Sequence, residues 1–320
     1  MESELLNRRI PLDRIVEGKP YGFRFDFRDP VLEASLDRLG VLCPLLVAGG
    51  RLENLVLISG HKRFFHAQRN HWESLPVSLV QESFSGRELF LLSLYSNWGQ
   101  AFGDLDRMEA LRKAEKDYQF TEEEILAEVM PVLGLAPTRG VLEDYRRAGA
   151  LCPEIHLLIR DRHLAFQGAS GLARFSIEEQ RLLAETVFGS LHLTSGQLAL
   201  VAEWLFDLKK GKKTSVESVL SEEKLKEILE NSGPDLRARG ERYFAVLRSL
   251  RYPRLSEEEG RLRKLKAQIE ENKNLQLHWP EGLEKKEVSV TARLHRSGDL
   301  ERVLRFLEAH RPALESPFEG

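Results

Sequence analysis

Thiols are nearly absent from this chain. Cys43 and Cys152 are the only cysteines in 320 residues, too few for a disulfide framework or a cysteine-rich metal site, so a reducing cytoplasm is the expected home. Long apolar runs are missing too. No stretch approaches the ~20 residues that a bilayer-spanning helix needs, and no membrane association is expected. The opening residues, MESELLNRRIPLDR, are charged throughout and lack the apolar centre of a signal peptide. An excess of one charge is also lacking. A formal net charge of −3 argues against a protein that coats nucleic acid by charge alone, although a local basic patch can sit on an acidic whole. The nine histidines include no His-x-x-x-His pair on a credible helix, and His61 and His66 are five apart, which argues against a metal site.

What is present is an ordinary globular composition, 42% hydrophobic and 30% charged, in a chain long enough for two or three cores. The patterning predicts an α+β protein. A helix from Pro30 to Leu39 ends at Gly40, and short apolar runs follow at Leu45–Val47 and Leu55–Ile58. A helical stretch then starts just after Gly60, and Pro76–Val80 reads as a strand alternating after its leading proline. From about Ser85 to Lys209 the pattern is helical. Thr121-Glu122-Glu123-Glu124 has the form of a capping box, Pro131 is expected to break the helix that follows, and Thr138 is placed to cap the next. Trp72 and Trp98 are expected in cores, and Cys152 as a small buried residue.

The run Lys209-Lys210-Gly211-Lys212-Lys213 reads as a linker. Beyond it, a capping box at Ser256–Glu259 and a thin stripe of Leu262, Leu265 and Ile269 suggest a helix that meets a partner. Glu287–Leu294 alternates like a strand, and Asp299–Ala309 follows as a helix with Leu300, Val303, Leu304 and Leu307 inward. The expected domains are 1–100, 101–208, 209–285 and 286–320. A single strand and helix at the end are too little structure to stand alone, so a homodimer through this module is expected, with folding back onto the same chain as the alternative.

One local conflict points to a ligand. Lys62 and Arg63 fall in the first turn of a helix, where exposed N–H groups already present about half a positive charge. Solvation of both side chains would resolve the conflict, and so would an anion held there by backbone N–H groups and the two cations. Gly60 would let a phosphate approach the backbone closely.

The segment Ile58-Ser59-Gly60-His61-Lys62-Arg63-Phe64-Phe65-His66-Ala67, followed by Pro76-Val77, resembles the second conserved box of the ParB family. Upstream, Ser35-Leu36-Asp37-Arg38-Leu39-Gly40-Val41-Leu42-Cys43-Pro44-Leu45-Leu46-Val47 resembles the first. The resemblance covers residues 10–100 closely and 101–210 loosely. It implies the ParB/sulfiredoxin fold for the first domain, an all-helical middle domain and a small C-terminal strand–helix module. It also implies CTP, with its triphosphate on Ser59, Gly60, His61, Lys62 and Arg63, and with Gly40, Cys43, Pro44, Asn97 and Arg24 nearby. In the third ParB motif, Glu-Asn-x-x-Arg, a glutamate and an arginine serve the triphosphate and Mg2+. Here the residues are Ser96-Asn97-Trp98-Gly99-Gln100, so only the asparagine matches. A serine hydroxyl lacks the charge of a carboxylate ligand. At most weak CTP hydrolysis is therefore expected, with Glu88 or Asp104 as candidate substitutes.

The cysteine run that sulfiredoxin chemistry needs is missing, because Gly60 stands between Ser59 and His61. The resemblance further implies a helix-turn-helix over Thr121–Arg147, in which Thr138, Arg139, Arg146 and Arg147 would face DNA. Glu143 and Asp144 on the same helix oppose phosphate, so a bundle that binds no DNA stays open beside it. The expected function is a CTP-gated, DNA-associated clamp or scaffold in chromosome or plasmid partition or gene control. The alternative is a small-molecule or nucleotide phosphotransferase using the same pocket.

Overall fold

In the computed structural model, which describes residues 6–17, 20–49, 54–80, 84–99, 102–161, 163–230, 235–270, 275–279 and 288–312, the chain divides into two units, 1–189 and 190–320. The architecture is α+β. No helix among the described residues is long and apolar enough to cross a membrane.

In the first unit, Asp29 accepts the Leu32 N–H and Pro30 takes the first helical position, so α1 (Pro30–Leu39) starts there and stops at Gly40, whose φ is +67°. Strands β1 (Leu6–Pro11), β2 (Ile15–Val16), β3 (Leu45–Ala48), β4 (Leu55–Ser59) and β5 (Ser74–Val80) form one sheet in the order β1-β5-β3-β4-β2. β3 runs parallel to β5, with Leu45 opposite Val77, and antiparallel to β4, with Val47 opposite Leu57. Neither β1 nor β2 is legible in the sequence, since LNRRIP is charged and closes on proline, and Ile15–Val16 is only two residues long. β5 begins at Ser74, so Pro76 lies inside the strand instead of leading it.

Successive side chains on a strand point to opposite faces, and β4 uses both. Leu55 and Leu57 join Leu45, Val47, Leu75 and Val77 under Phe64 and Ala67 of α2 (His61–Arg69). Ile58 turns to the other face with Ala48 and Val80, against Leu89 and Leu92 of α3 (Gly86–Tyr95). α2 therefore leaves the end of β4 directly, through Gly60.

The helical remainder of this unit opens with α4 (Asp104–Lys116). The Thr121–Glu124 capping box forms as expected. Pro131 does not break its helix. A π turn over Ile125–Val129 widens the backbone, the Met130 N–H bonds to the Ile125 carbonyl five residues back, and helix continues over Met130–Val132. The chain turns only at Gly134, with φ +68°. Thr138 caps the helix Arg139–Gly149, which buries Leu142, Tyr145 and Ala148. Cys152 is buried, and desolvation raises its thiol pKa. Trp72 lies partly buried against the sheet core, but Trp98 is 69% exposed in the turn after α3 and does not enter a core.

The second unit corrects five expectations. Lys209–Lys212 form the last turn of the helix Ser195–Lys212 instead of a linker, where their charges suit the negative end of the helix. Ser256 lies inside the helix Pro253–Glu270, and its partner in the expected capping box, Glu259, is a buried ion-pair partner of Arg248 at 2.6 and 2.9 Å. Leu262, Leu265 and Ile269 pack against segments of the same chain. They are covered by Leu275 and Leu277 of β6 (Leu275–His278) and by Val303. β6 pairs antiparallel with β7 (Ser289–Ala292), so the C-terminal module is a hairpin between two helices. On the helix Asp299–Ala309, Val303 is buried, while Leu300 and Leu304 are 55% and 52% exposed instead of inward. Glu287, the expected start of the strand, lies outside the described residues.

Candidate functional site

Ser59 ends β4, Gly60 turns and α2 begins. Gly60 has φ +103°, a conformation that L side chains rarely adopt, and it caps α2 without any side-chain bond. A Cβ there would lie 2.9 Å from Leu45 Cγ and 3.2 Å from Arg63 Nη2. Glycine is therefore required by both conformation and space, and the Arg63 guanidinium lies beside the bare N-terminus of α2.

Arg63 carries the electrostatics of the site. Its Nη1 donates to the carbonyl oxygens of Cys43 and of Pro44, the latter at 3.2 Å. Burial pushes its pKa down, and among the described residues no carboxylate lies within ion-pair distance of it. A half-buried cation held by neutral carbonyls, next to the positive end of a helix, is a costly arrangement that an anion would relieve. The neighbouring cations differ. Lys62 Nζ sits 2.9 Å from Asp29 Oδ2, and this pairing holds the Asp29 carboxyl below its ordinary value. Arg24 Nη1 sits 2.8 Å from Asp106 Oδ2, with its guanidinium over the Phe102 ring.

Arg24, Gly60, His61, Lys62, Arg63 and Asn97 line one cleft, joined by Tyr21, Phe23, Leu32 and Ile58. The cleft holds about 60 Å3, well under the ~300 Å3 at which ligand pockets usually begin. As it stands it admits a phosphate group or a few waters, and a whole nucleotide only if it opens. Ser59 is buried beside it, its Oγ accepting from Asn97 Nδ2 at 3.4 Å, and Asn97 is anchored to the Ser93 carbonyl at 2.8 Å. Gly40, Cys43 and Pro44 do not line the cleft. Gly40 ends α1, while Cys43 and Pro44 act through the carbonyls that orient Arg63.

A magnesium ion does not fit these residues. None of the lining side chains is a carboxylate, and among the described residues no cluster of three His, Cys, Asp or Glu is placed to hold a metal. Ser96 Oγ is turned back onto the Ser93 carbonyl at 2.9 Å. Glu88 closes a capping box with Ser85, nine residues and about 13 Å along the helix from Asn97. Asp104 accepts from Tyr145 Oη at 2.9 Å and pairs with Arg107. Neither carboxylate substitutes for the missing glutamate.

The residues placed toward DNA lie together on one helix, but their charges are engaged. Arg146 is held by Glu115 at 2.8 Å, by Glu122 at 3.0 Å and by Glu143. Arg139 pairs with Glu122 at 2.8 Å, and Arg147 with Asp144 at 2.5 Å. Thr138 accepts the Val141 N–H as a helix cap.

Sequence reasoning missed Tyr21, Phe23, Leu32 and Ile58 in the cleft wall, and Asp29 and Asp106 behind the cations. Asp29 followed by Pro30 was a readable helix start. Nothing local marks Asp106, which meets Arg24 across 82 residues.

No protein-family model matches the chain, and no curated protein matches it. Solved structures similar to it include the C-terminally truncated chromosome-partitioning protein ParB from Caulobacter crescentus complexed to the centromeric parS site, at 17% identity and TM-score 0.38, covering 61% of this chain and 98% of that one. The same protein complexed with CTP-gamma-S is similar at 19% identity and TM-score 0.26, covering 56% and 97%. A Pnob8-like ParB-N domain is similar at 13% identity and TM-score 0.32, covering 76% and 99%.

Proposed function

We propose that the first unit binds the phosphate chain of a nucleotide, CTP by the motif resemblance, at the N-terminus of α2, and that the chain acts as a nucleotide-gated, DNA-associated clamp or scaffold. The observation that carries this reading is the half-buried Arg63 guanidinium, held by carbonyls beside the open helix end at Gly60. A cleft of about 60 Å3 must open to admit a nucleotide, so occupancy and conformation are coupled, as a gate requires. With no carboxylate in its wall, the cleft suits binding better than phosphoryl transfer.

DNA contact in this reading falls on Arg139 and Arg147. They are 75% and 53% exposed, and exposed ion pairs such as theirs cost little to exchange for phosphate. Arg146, tied to carboxylates from three other positions, is a strut of the bundle. Self-association falls on the exposed Leu300 and Leu304. Leu300→Glu with Leu304→Glu should leave the fold intact and give a monomer by light scattering, and an unchanged mass per particle would remove the dimer.

Calorimetric titration with CTP, ATP, GTP and inorganic tripolyphosphate, with and without magnesium, tests the central claim. Binding of CTP and of tripolyphosphate is expected. The absence of any triphosphate binding would overturn it.

A further inference from the structure

Behind the first turn of α2 lies a larger hollow, between the chain that leads into α1 and the helices α4, Arg139–Gly149 and Pro153–Arg160. It measures about 450 Å3, inside the usual range for small-molecule sites. Arg24 and His61 belong to both cavities and form the partition between them. His61 is 9% exposed, and its ring lies 5.7 Å from that of Phe27 and closely under Gly22, where a Cβ would stand 3.1 Å from Nε2.

We propose that this hollow is a second ligand site that takes a nucleobase or nucleoside. Two aromatic pairs supply flat faces. Phe27 lies against His61, and Phe25, 36% exposed, meets His156 edge-on at 6.2 Å. Phe25 is itself held in place, because its N–H donates to Asp106 Oδ1 at 2.8 Å.

The cations on the rim are matched by carboxylates, Lys113 by Asp117 at 3.6 Å and Glu109 at 3.9 Å. Arg112 is bound by Glu109 through two contacts of 2.8 Å, and Arg24 is bound by Asp106 at 2.8 Å. Cations already matched by carboxylates do not seek a polyphosphate, in contrast to Arg63 in the neighbouring cleft. A heteroaromatic base answers this arrangement, since its face stacks on aromatic rings and its edge presents donors and acceptors together. A purely apolar ligand would leave the rim charges desolvated without partners. The site stands whether or not the cleft at Gly60 binds phosphate.

The full chain is titrated with adenosine and cytidine, which carry no phosphate, and separately with inorganic tripolyphosphate. At least one nucleoside should bind the wild type. Phe25→Ala should weaken that binding tenfold or more while leaving tripolyphosphate unaffected, and Arg63→Ala should do the reverse. Phe25 is exposed enough for alanine to be tolerated, and Arg112→Ala is a second variant expected to act in the same direction. The proposal falls if neither nucleoside binds, or if binding survives in both Phe25→Ala and Arg112→Ala. It also falls if Arg63→Ala abolishes nucleoside binding, which would place the base in the cleft. Nucleoside binding without tripolyphosphate binding would sink the phosphate reading and uphold this one.

Discussion

Replacing Arg63 by alanine removes a half-buried guanidinium that faces the N-terminus of α2 and two carbonyl oxygens. Charge-assisted hydrogen bonds contribute about 1.5–3 kcal/mol each, so one lost contact to phosphate should weaken CTP or tripolyphosphate binding by roughly 10- to 150-fold. Stability should change much less. Two carbonyls lose a donor, at about 0.5–1.5 kcal/mol each, but Cys43 is exposed and water can replace part of that loss. The variant also no longer desolvates a charge, which offsets the rest. The melting temperature should fall by no more than about 4 °C, on a scale of roughly 2–4 °C per kcal/mol for a unit of this size. Arg63→Lys should recover only part of the affinity, because an ammonium lacks the planar fork that bridges carbonyl and phosphate. Calorimetry at fixed salt reads the affinity, and a thermal melt confirms the fold. An Arg63→Ala protein that melts normally and binds within twofold of wild type would refute the reasoning.

Gly60→Ala should cost about 2–4 kcal/mol, from a positive φ and from a Cβ 2.9 Å from Leu45 Cγ, and a melting temperature equal to wild type would show that the turn relaxes freely. The Asp29 carboxyl titrates below its ordinary 3.8, so the Asp29–Lys62 pair contributes fully above about pH 4 and is lost as pH falls through the lowered folded value. The stability gap between wild type and Asp29→Asn, which keeps the helix cap, should therefore shrink on acidification, and a gap that is constant or grows below pH ~4 would contradict the pairing. Glu259→Ala removes the buried carboxylate that pairs with half-buried Arg248 and should destabilise the second unit by about 1.5–3 kcal/mol in a denaturant melt, whereas a loss under ~0.5 kcal/mol would mean that water replaces the carboxylate.

Local chemistry made much of the first unit readable from the sequence. Pro30 and Gly40 delimit α1, Gly60 separates β4 from α2, and Lys62 and Arg63 stand in the first turn of that helix, as their spacing from Gly60 dictates. Capping at Thr121 and Thr138 was equally local, since a cap bonds only three residues ahead. Other features depend on what distant segments do. β1 forms because β5 offers it a ladder, and Pro131 stays helical because a π turn upstream makes room. The stripe on Leu262, Leu265 and Ile269 looked like a surface for another chain because periodicity shows that a face is apolar without showing what covers it. A hairpin from the same chain covers it here.

The candidate site divides along the same line. Sequence alone determined which residues stand at the helix end and that their charge was unfavourable there, because both follow from chain direction and spacing. Only the tertiary structure decided that Asp29 and Asp106 neutralise Lys62 and Arg24 while Arg63, among the described residues, meets carbonyls, and that Arg24 and His61 divide a small cleft from a larger hollow. Counter-charge and cavity volume are properties of whichever side chains packing brings together, and the spacing of residues along a chain does not encode them.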